Sequence, residues 1–341
     1  MRGFKALVLC AILTALLCAC DGVDPPASPS GEGDSLLSIA GTELERGEIA
    51  YLLGYVVGEY SLFRDIDWDG RIESVPARRY FLDRALEQAV NAHVTAAKAA
   101  ELGYELTEEE ESGIDWAVTW EIDEWGGWDA FLEAMGAAGL TEETYRFYAY
   151  TVPALRDKLI SGLFGPGGPY APGEDALWTY YSGNYVTVSY IFLLATDEYG
   201  EMLTGDQWET QRSVAEALRR KAVSGEDFFG MVELYGQDYL MSLSPWGMPV
   251  PFGMIGTAFD TAMSALKEGE ISEVVATDEG FYIILRLPED REWFEQNREE
   301  IWYSCAFEAF SEKIDEWGRG MTVEVSGAFY ELDPMEMVAV G

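Results

Sequence analysis

A cluster of glycine and proline at residues 165–169 (Gly-Pro-Gly-Gly-Pro) divides the 341-residue chain into two parts with different hydrophobic patterns. Glycine and proline together interrupt regular secondary structure, so no helix or strand is expected to run through this cluster. Before it, apolar residues recur with helical spacing. After it, runs of β-branched and aromatic residues alternate with amphipathic segments. The break therefore predicts two domains, which suits a chain of this length.

The part before the break is predicted to be a helical domain over residues 38–165. An apolar stripe covers residues 49–60, and a long helix is expected between Pro76 and Gly103. The sequence at residues 107–110 is a capping box, which places acidic side chains at the positive end of a helix. We interpret the acidic runs of this domain as helix caps and solvated faces rather than as metal ligands.

The part after the break predicts an α+β domain over residues 175–288, because strands and helices follow one another with short connections. The expected strands cover residues 185–194 and 281–287, and a weak strand is expected within 321–329. The expected helices are 207–223, 228–235, 259–266 and 291–317.

The N-terminus is predicted to be a targeting segment. Residues 1–19 join a short basic region to a short apolar run, as in a secretory signal peptide. The run ends Leu-Cys-Ala before Cys20, which resembles the bacterial lipobox and implies cleavage before Cys20 and its lipidation. Ordinary cleavage with an incidental cysteine is the alternative. Residues 20–37 contain proline, glycine, serine and aspartate, which predicts a flexible linker. No other segment of the sequence is expected to span a membrane.

Composition excludes several functions. The formal charge is −39, and it becomes −41 once residues 1–19 are removed, so nucleic-acid binding is not expected. His93 is the only histidine of the sequence, which excludes metal sites with several histidine ligands. His93 and Cys305 both lie in apolar helical patterns and are interpreted as packing residues. Neither a metal nor a cofactor is predicted.

Ordered motifs after the break carry a family resemblance. These are a strand at 188–193, a Gly-Glu-Asp-Phe turn at 225–228, a Tyr-Gly-Gln-Asp segment at 235–238, and Phe-Asp-Thr-Ala leading into Leu-Lys-Glu-Gly-Glu-Ile-Ser over 259–272. Together they resemble the parvulin prolyl isomerase domain of PrsA/SurA-type foldases. The flanking sequences are similar to the N-terminal strand and chaperone helices of that family.

The resemblance implies a domain arrangement. It implies a small antiparallel sheet in the parvulin-like domain, and a helical chaperone-like domain that is completed by a C-terminal helix. Residues 289–325 would supply this helix and a strand that pack on the N-terminal domain, leaving 326–341 as a tail.

The resemblance also implies a site. The proline pocket of the family falls on Phe259, on Ile255 or Met254, and on Phe252, which would bind substrate. The polar position falls on Asp238. The two family histidines fall on Tyr190 and Tyr282, whose hydroxyls could offer hydrogen bonds to Asp238 in their place.

Two functions are favoured on this evidence over a third, a purely structural envelope lipoprotein. The first is a foldase, lipid-anchored to the outer face of the bacterial cytoplasmic membrane, that isomerises prolyl bonds of unfolded exported proteins with weak turnover. The second is a holdase that binds the same clients without catalysis, through the helical domain and a degenerate parvulin domain. The site aromatics could equally be plain core. The sequence does not fix the oligomeric state.

Overall fold

The structure is a computed structural model and describes residues 36–62, 64–135, 137, 139–197 and 199–338. The predicted signal peptide, Cys20 and nearly all of the predicted linker lie outside these residues. The chain divides into two compact units. The sheet unit comprises residues 172–305. The helical unit comprises the described residues up to 171 and those from 306 onward.

Both units combine helices with short strands. The α-helices are α1 (Arg46–Ser61), α2 (Ala77–Leu102), α3 (Glu108–Glu124), α4 (Trp128–Met135), α5 (Glu142–Arg146), α6 (Val152–Phe164), α7 (Glu174–Asn184), α8 (Asp206–Val223), α9 (Phe228–Tyr235), α10 (Tyr239–Leu243), α11 (Thr257–Ala265), α12 (Arg291–Gln296), α13 (Arg298–Gly318) and α14 (Pro334–Met337). The strands are β1 (Leu37–Ile39), β2 (Thr42–Glu43), β3 (Arg71–Ile72), β4 (Val75–Pro76), β5 (Tyr185–Leu194), β6 (Met248–Pro251), β7 (Val275–Ala276), β8 (Gly280–Arg286) and β9 (Val323–Val325). The predicted α+β class is confirmed.

Local sequence explains the ends of the helices. The Thr107 side chain accepts a hydrogen bond from the Glu110 amide, and the Glu110 carboxylate accepts one from the Thr107 amide, so α3 begins with a complete capping box. Gly103 ends α2 at φ 75°, a left-handed conformation that glycine adopts without strain. A π-helical turn, Phe147–Thr151, joins α5 to α6 immediately before Pro153. Proline cannot donate to the helical ladder, which accounts for the altered winding.

The two ends of the helical unit meet in one sheet. Strand β1 lies between β2 and β9 and pairs antiparallel with both, with Leu37 opposite Val325. After β9, a 3-10 helix (Gly327–Glu331) places Phe329 in the core of this unit, where it is fully buried. Residues 326–338 were expected to belong to a tail, but Phe329 and Met337 of this segment are buried in the core of the helical unit.

The sheet unit is built on a four-stranded antiparallel sheet in the order β6-β5-β8-β7. Strand β5 is central and pairs with β8 along most of its length, with Phe192 opposite Tyr282. Successive residues of a strand point to opposite faces, so Phe281 and Tyr282 serve different layers. The Phe281 ring packs on Trp208 of α8, and the Tyr282 ring packs on Phe259 of α11. The sheet thus lies between two helical layers.

The remaining predictions concern the C-terminal helix, two packing residues and membrane-spanning segments. The helix predicted over 291–317 is divided at Asn297 into α12 and α13. His93 and Cys305 are both half-buried, as packing residues would be. Among the helices of the described part, none combines the length and hydrophobicity that crossing a bilayer requires.

Candidate functional site

Strands β5 and β8 bring the two predicted tyrosines together. Tyr190 and Phe192 lie on the same face of β5, and Tyr282 lies opposite Phe192 on β8. The ring centroids of Tyr190 and Tyr282 are 5.5 Å apart, and the Phe192 ring stacks on Tyr282 at 4.4 Å. Each of these rings is buried in the core of the sheet unit. The strand register therefore brings together the two tyrosines that the sequence analysis selected as site residues.

Helix α11 completes an aromatic triad with Phe259. Its ring is edge-on to Tyr190 at 5.4 Å and to Tyr282 at 5.1 Å, and its exposed fraction is 0%. Edge-to-face contacts of this kind stabilise a core beyond simple burial. The sequence placed Phe259 in a proline pocket, but in this conformation its ring faces other side chains rather than solvent. The aromatic triad (Tyr190, Phe259 and Tyr282) is thus a closed, buried layer of the sheet unit.

Asp238 has a structural partner as well as a position near the aromatic triad. Its Oδ1 atom accepts a hydrogen bond of 2.6 Å from the Met241 amide, so Asp238 is the N-cap of α10. Burial, the charge of Asp238 and a hydrogen-bonding interaction with the same carboxylate raise the pKa of the Tyr190 hydroxyl. The sequence analysis held that the tyrosine hydroxyls could offer hydrogen bonds to Asp238, which stays a prediction, and it did not indicate that Asp238 caps α10.

The electrostatics of the aromatic triad keep its tyrosines neutral. Burial first, then the charges of Glu279 and Asp238, raise the pKa of Tyr282. The raised pKa values keep the phenolate forms of Tyr190 and Tyr282 unpopulated, so neither hydroxyl can act as a base near neutral pH. The pair can donate hydrogen bonds, and the charge of Asp238 acts on Tyr190 strongly enough to raise its pKa.

The remaining predicted pocket residues lie on one loop, residues 252–256, which we call the rim loop. Phe252 and Met254 are exposed, at 41% and 53%, while Ile255 is half-buried against the core. The rim loop is held by Asp260, whose Oδ2 atom accepts a hydrogen bond of 2.9 Å from the Gly253 amide. A substrate can therefore reach the rim loop, and Asp260 connects it to the helix that carries Phe259.

Sequence reasoning missed two features of this site. Asp260 follows Phe259 directly, so only the Phe-Asp pairing in the motif could have pointed to its role as the anchor of the rim loop. The second feature is a set of exposed apolar side chains that follow Asp238, namely Tyr239, Leu240, Leu243 and Trp246. Their exposure depends on how α10 packs in the folded domain, which the local sequence pattern does not indicate.

The described residues were also compared with the requirements of a metal site. Among them, no group of three histidine, cysteine, aspartate or glutamate residues is arranged as metal ligands would be. The predicted lipidation site, Cys20, lies outside the described residues.

Comparison with known proteins gives a likeness to solved structures. No protein-family model and no curated protein matches the sequence. Among similar structures, peptidylprolyl isomerase (PrsA) from Bacillus anthracis is 19% identical, with 68% of this chain and 94% of that chain covered and a TM-score of 0.32. The foldase protein PrsA from Streptococcus pneumoniae is 14% identical, with 79% and 91% covered and a TM-score of 0.33.

A shorter similar structure covers one region. It is a PpiC-type peptidyl-prolyl cis-trans isomerase domain that is 14% identical, covers 32% of this chain and 94% of that chain, and has a TM-score of 0.28. These are structures of the type that the motifs of the sequence resemble.

Proposed function

We propose that this protein is a foldase that assists the folding of exported proteins, with a parvulin-type site that isomerises prolyl bonds slowly. The observation that carries the proposal is the site of the sheet unit, where an exposed apolar rim loop is tied by Asp260 to a helix whose Phe259 belongs to the dry aromatic triad. Such a site suits a proline ring and its flanking apolar residues, and it requires no metal or nucleophile.

The reaction needs little chemistry from the protein. Rotation about a peptide bond is opposed by a barrier of roughly 18–20 kcal/mol, because resonance makes the planar amide stable. Before proline this rotation takes on the order of tens to hundreds of seconds. A surface that removes water from the planar amide favours the less polar twisted state, and binding that state more tightly than the planar one lowers the barrier.

The same site argues for slow turnover. Both tyrosines are buried, and burial holds their hydroxyls in the neutral form. A neutral hydroxyl that is closed off from solvent contributes little to a substrate amide. Desolvation by the rim loop is then the main source of rate enhancement.

The location of the protein is part of the proposal. Lipidation of Cys20 after removal of residues 1–19 would tether the folded chain to the outer face of the bacterial cytoplasmic membrane, through the linker of residues 20–37. Exported polypeptides reach this face unfolded, so they are the proposed clients. Metabolic labelling with a radioactive fatty acid would test the anchor, with Cys20→Ser as the unlabelled control.

Proline-limited refolding tests the activity. A substrate protein whose refolding waits on a prolyl bond is refolded with and without catalytic amounts of the purified protein. Asp238→Asn keeps a good N-cap and removes the charge, whereas Asp238→Ala removes both. A double substitution, Phe252→Ala with Met254→Ala, strips the rim loop. We expect the unaltered protein to accelerate refolding and the rim-loop variant to lose that acceleration. No acceleration by the folded, unaltered protein would refute isomerisation.

A holdase is the second candidate, because one observation favours it. Trp116 and Trp120 of α3 are 69% and 55% exposed and stack with centroids 6.3 Å apart. Paired exposed indoles on a helix are suited to contact with apolar segments of unfolded chains. Suppression of aggregation by the unaltered protein, reduced when both tryptophans are replaced by serine and independent of the rim loop, would favour this function over isomerisation.

A further inference from the structure

A second cavity, remote in sequence from the parvulin-like site, lies in the helical unit and encloses about 660 Å³. It opens along α1 and is lined by Tyr51, Gly54, Gly58, Trp68, Glu121 and Tyr145 among others, and we call it the Glu121 cleft. Its volume is within the range of small-molecule sites, about 300–1,000 Å³. It can therefore hold a long side chain with some of its backbone.

The floor of the Glu121 cleft is bare helix. Gly54 and Gly58 are four residues apart and share a face of α1. Neither has positive φ, and a Cβ at Gly58 would meet no atom within 4 Å. Each glycine inside a helix costs about 1 kcal/mol relative to alanine. Neither backbone conformation nor a packed neighbour accounts for Gly58, whereas an occupant of the cleft would.

The walls are aromatic. The Tyr51 and Tyr145 rings meet edge-on at 5.6 Å, and Trp68 is half-buried on the side of the loop that precedes β3. Aromatic faces attract cations and also pack against the aliphatic stem of a long basic side chain.

A carboxylate stands in the wall. The Oε2 atom of Glu121 accepts hydrogen bonds from the hydroxyls of Tyr145, at 2.6 Å, and of Tyr150. Among the described residues, none donates to Oε1 and none forms an ion pair with Glu121. Arg64 and Asp65 also line the cleft, both exposed at its edge and of opposite charge. Burial and then the charge of Glu121 raise the pKa of Tyr51 to about 12. The negative charge of the Glu121 carboxylate therefore acts on the opposite side of the cleft.

We infer that the Glu121 cleft binds the arginine or lysine side chain of an extended polypeptide segment, with Glu121 as the counter-ion and the tyrosines against the stem. The net charge of −39 favours approach of such segments over acidic ones. This inference rests on the proposed function only in taking an unfolded polypeptide as the ligand. A free polyamine has the same cationic chemistry, so the test must separate the two sources.

Fluorescence anisotropy with a matched pair of peptides tests the inference. Each dye-labelled peptide is nine residues long, without proline, and differs only at its centre, where one has arginine and the other has citrulline, a neutral group of the same shape. We expect the arginine peptide to bind the purified protein at least about tenfold more tightly, a ratio that corresponds to 1.4 kcal/mol. Equal affinity for the two peptides would overturn the inference without any substitution in the protein.

Three variants place the binding in the cleft. Glu121→Gln keeps an oxygen for the Tyr145 hydroxyl and should bring the arginine peptide down to the affinity of the citrulline peptide. Gly58→Leu should weaken both peptides strongly by filling the floor, and Gly58→Ala, which adds a single methyl group there, should weaken both peptides less than Gly58→Leu does. Circular dichroism checks that each variant is folded. Unchanged discrimination in folded Glu121→Gln would overturn the assignment.

Two further arms separate the alternatives. If spermidine binds and Glu121→Gln abolishes that binding, while neither peptide binds the unaltered protein, the cleft is a polyamine site. This result would overturn the polypeptide assignment. Failure of the proposed isomerase would appear in the refolding assay, and the proline-free peptides do not depend on it. The two proposals can therefore fail separately.

Discussion

Truncation of Phe259 tests whether the aromatic triad is a structural layer. The side chain is fully buried and contacts two other buried rings edge-on, at 5.4 and 5.1 Å. Replacing a buried phenylalanine by alanine typically costs about 3–5 kcal/mol, and the two ring contacts place Phe259→Ala in the upper half of that range. This is a large share of a stability that is typically about 5–15 kcal/mol.

Urea denaturation followed by circular dichroism measures this cost. With a slope of about 2 kcal/mol per molar urea, the midpoint should fall by roughly 2 M. Phe252→Ala is the matched control, because the same deletion at an exposed position should change stability by no more than about 0.5 kcal/mol. Equal midpoints for the two variants would show that Phe259 is not in a packed layer. The same reasoning makes Phe259→Ala a poor probe of catalysis, since it removes the fold together with the site.

Three other perturbations follow from the described contacts. Thr107→Ala should lower the free energy of unfolding by about 1 kcal/mol in urea denaturation, because α3 loses its capping box; no change would contradict the cap. Burial lowers the pKa of His93, so an NMR titration of this sole histidine should give a pKa below 6.5. The stability that this lowered pKa contributes is fully present at neutral pH. It is lost as the pH falls through about 6.5, because the histidine of the unfolded chain then becomes protonated. Burial raises the pKa of Asp260, so ionisation of this carboxyl destabilises the folded state. The urea midpoint of Asp260→Asn should therefore rise relative to that of the unaltered protein as the pH rises from about 4 to 7. A constant difference between the two midpoints would refute that shift.

The sheet unit was predictable where sequence pattern and burial agree. Strand β5 was predicted with the bounds that the structure has, because nine of its ten residues are β-branched, aromatic or aliphatic and only Ser189 interrupts the run. Strand β6 was not predicted, since Pro249 and Pro251 argue against a strand. It is an edge strand, the one place in a sheet where proline is tolerated.

The site was predictable in position but less so in exposure. Sequence motifs named Tyr190, Tyr282 and Phe259, and the structure places their rings in contact, although their roles stay predictions. Motifs did not indicate that Phe259 is closed to solvent or that Asp238 caps α10. These properties arise from the seating of helices on the sheet, which depends on residues far apart in the chain.

The pairing of β1 with β9 has a consequence for the order in which the protein folds. Leu37 is among the first described residues and its partner Val325 among the last, with the whole sheet unit between them. A chain is synthesised from its N-terminus, so residues 172–305 are complete before β9 exists. Closing a loop of this length as a disordered segment would cost more entropy than closing one that has already folded and brought its ends together. The sheet unit can therefore fold before β9 is synthesised, whereas β1 gains its pairing with β9 only when the last residues of the chain are present.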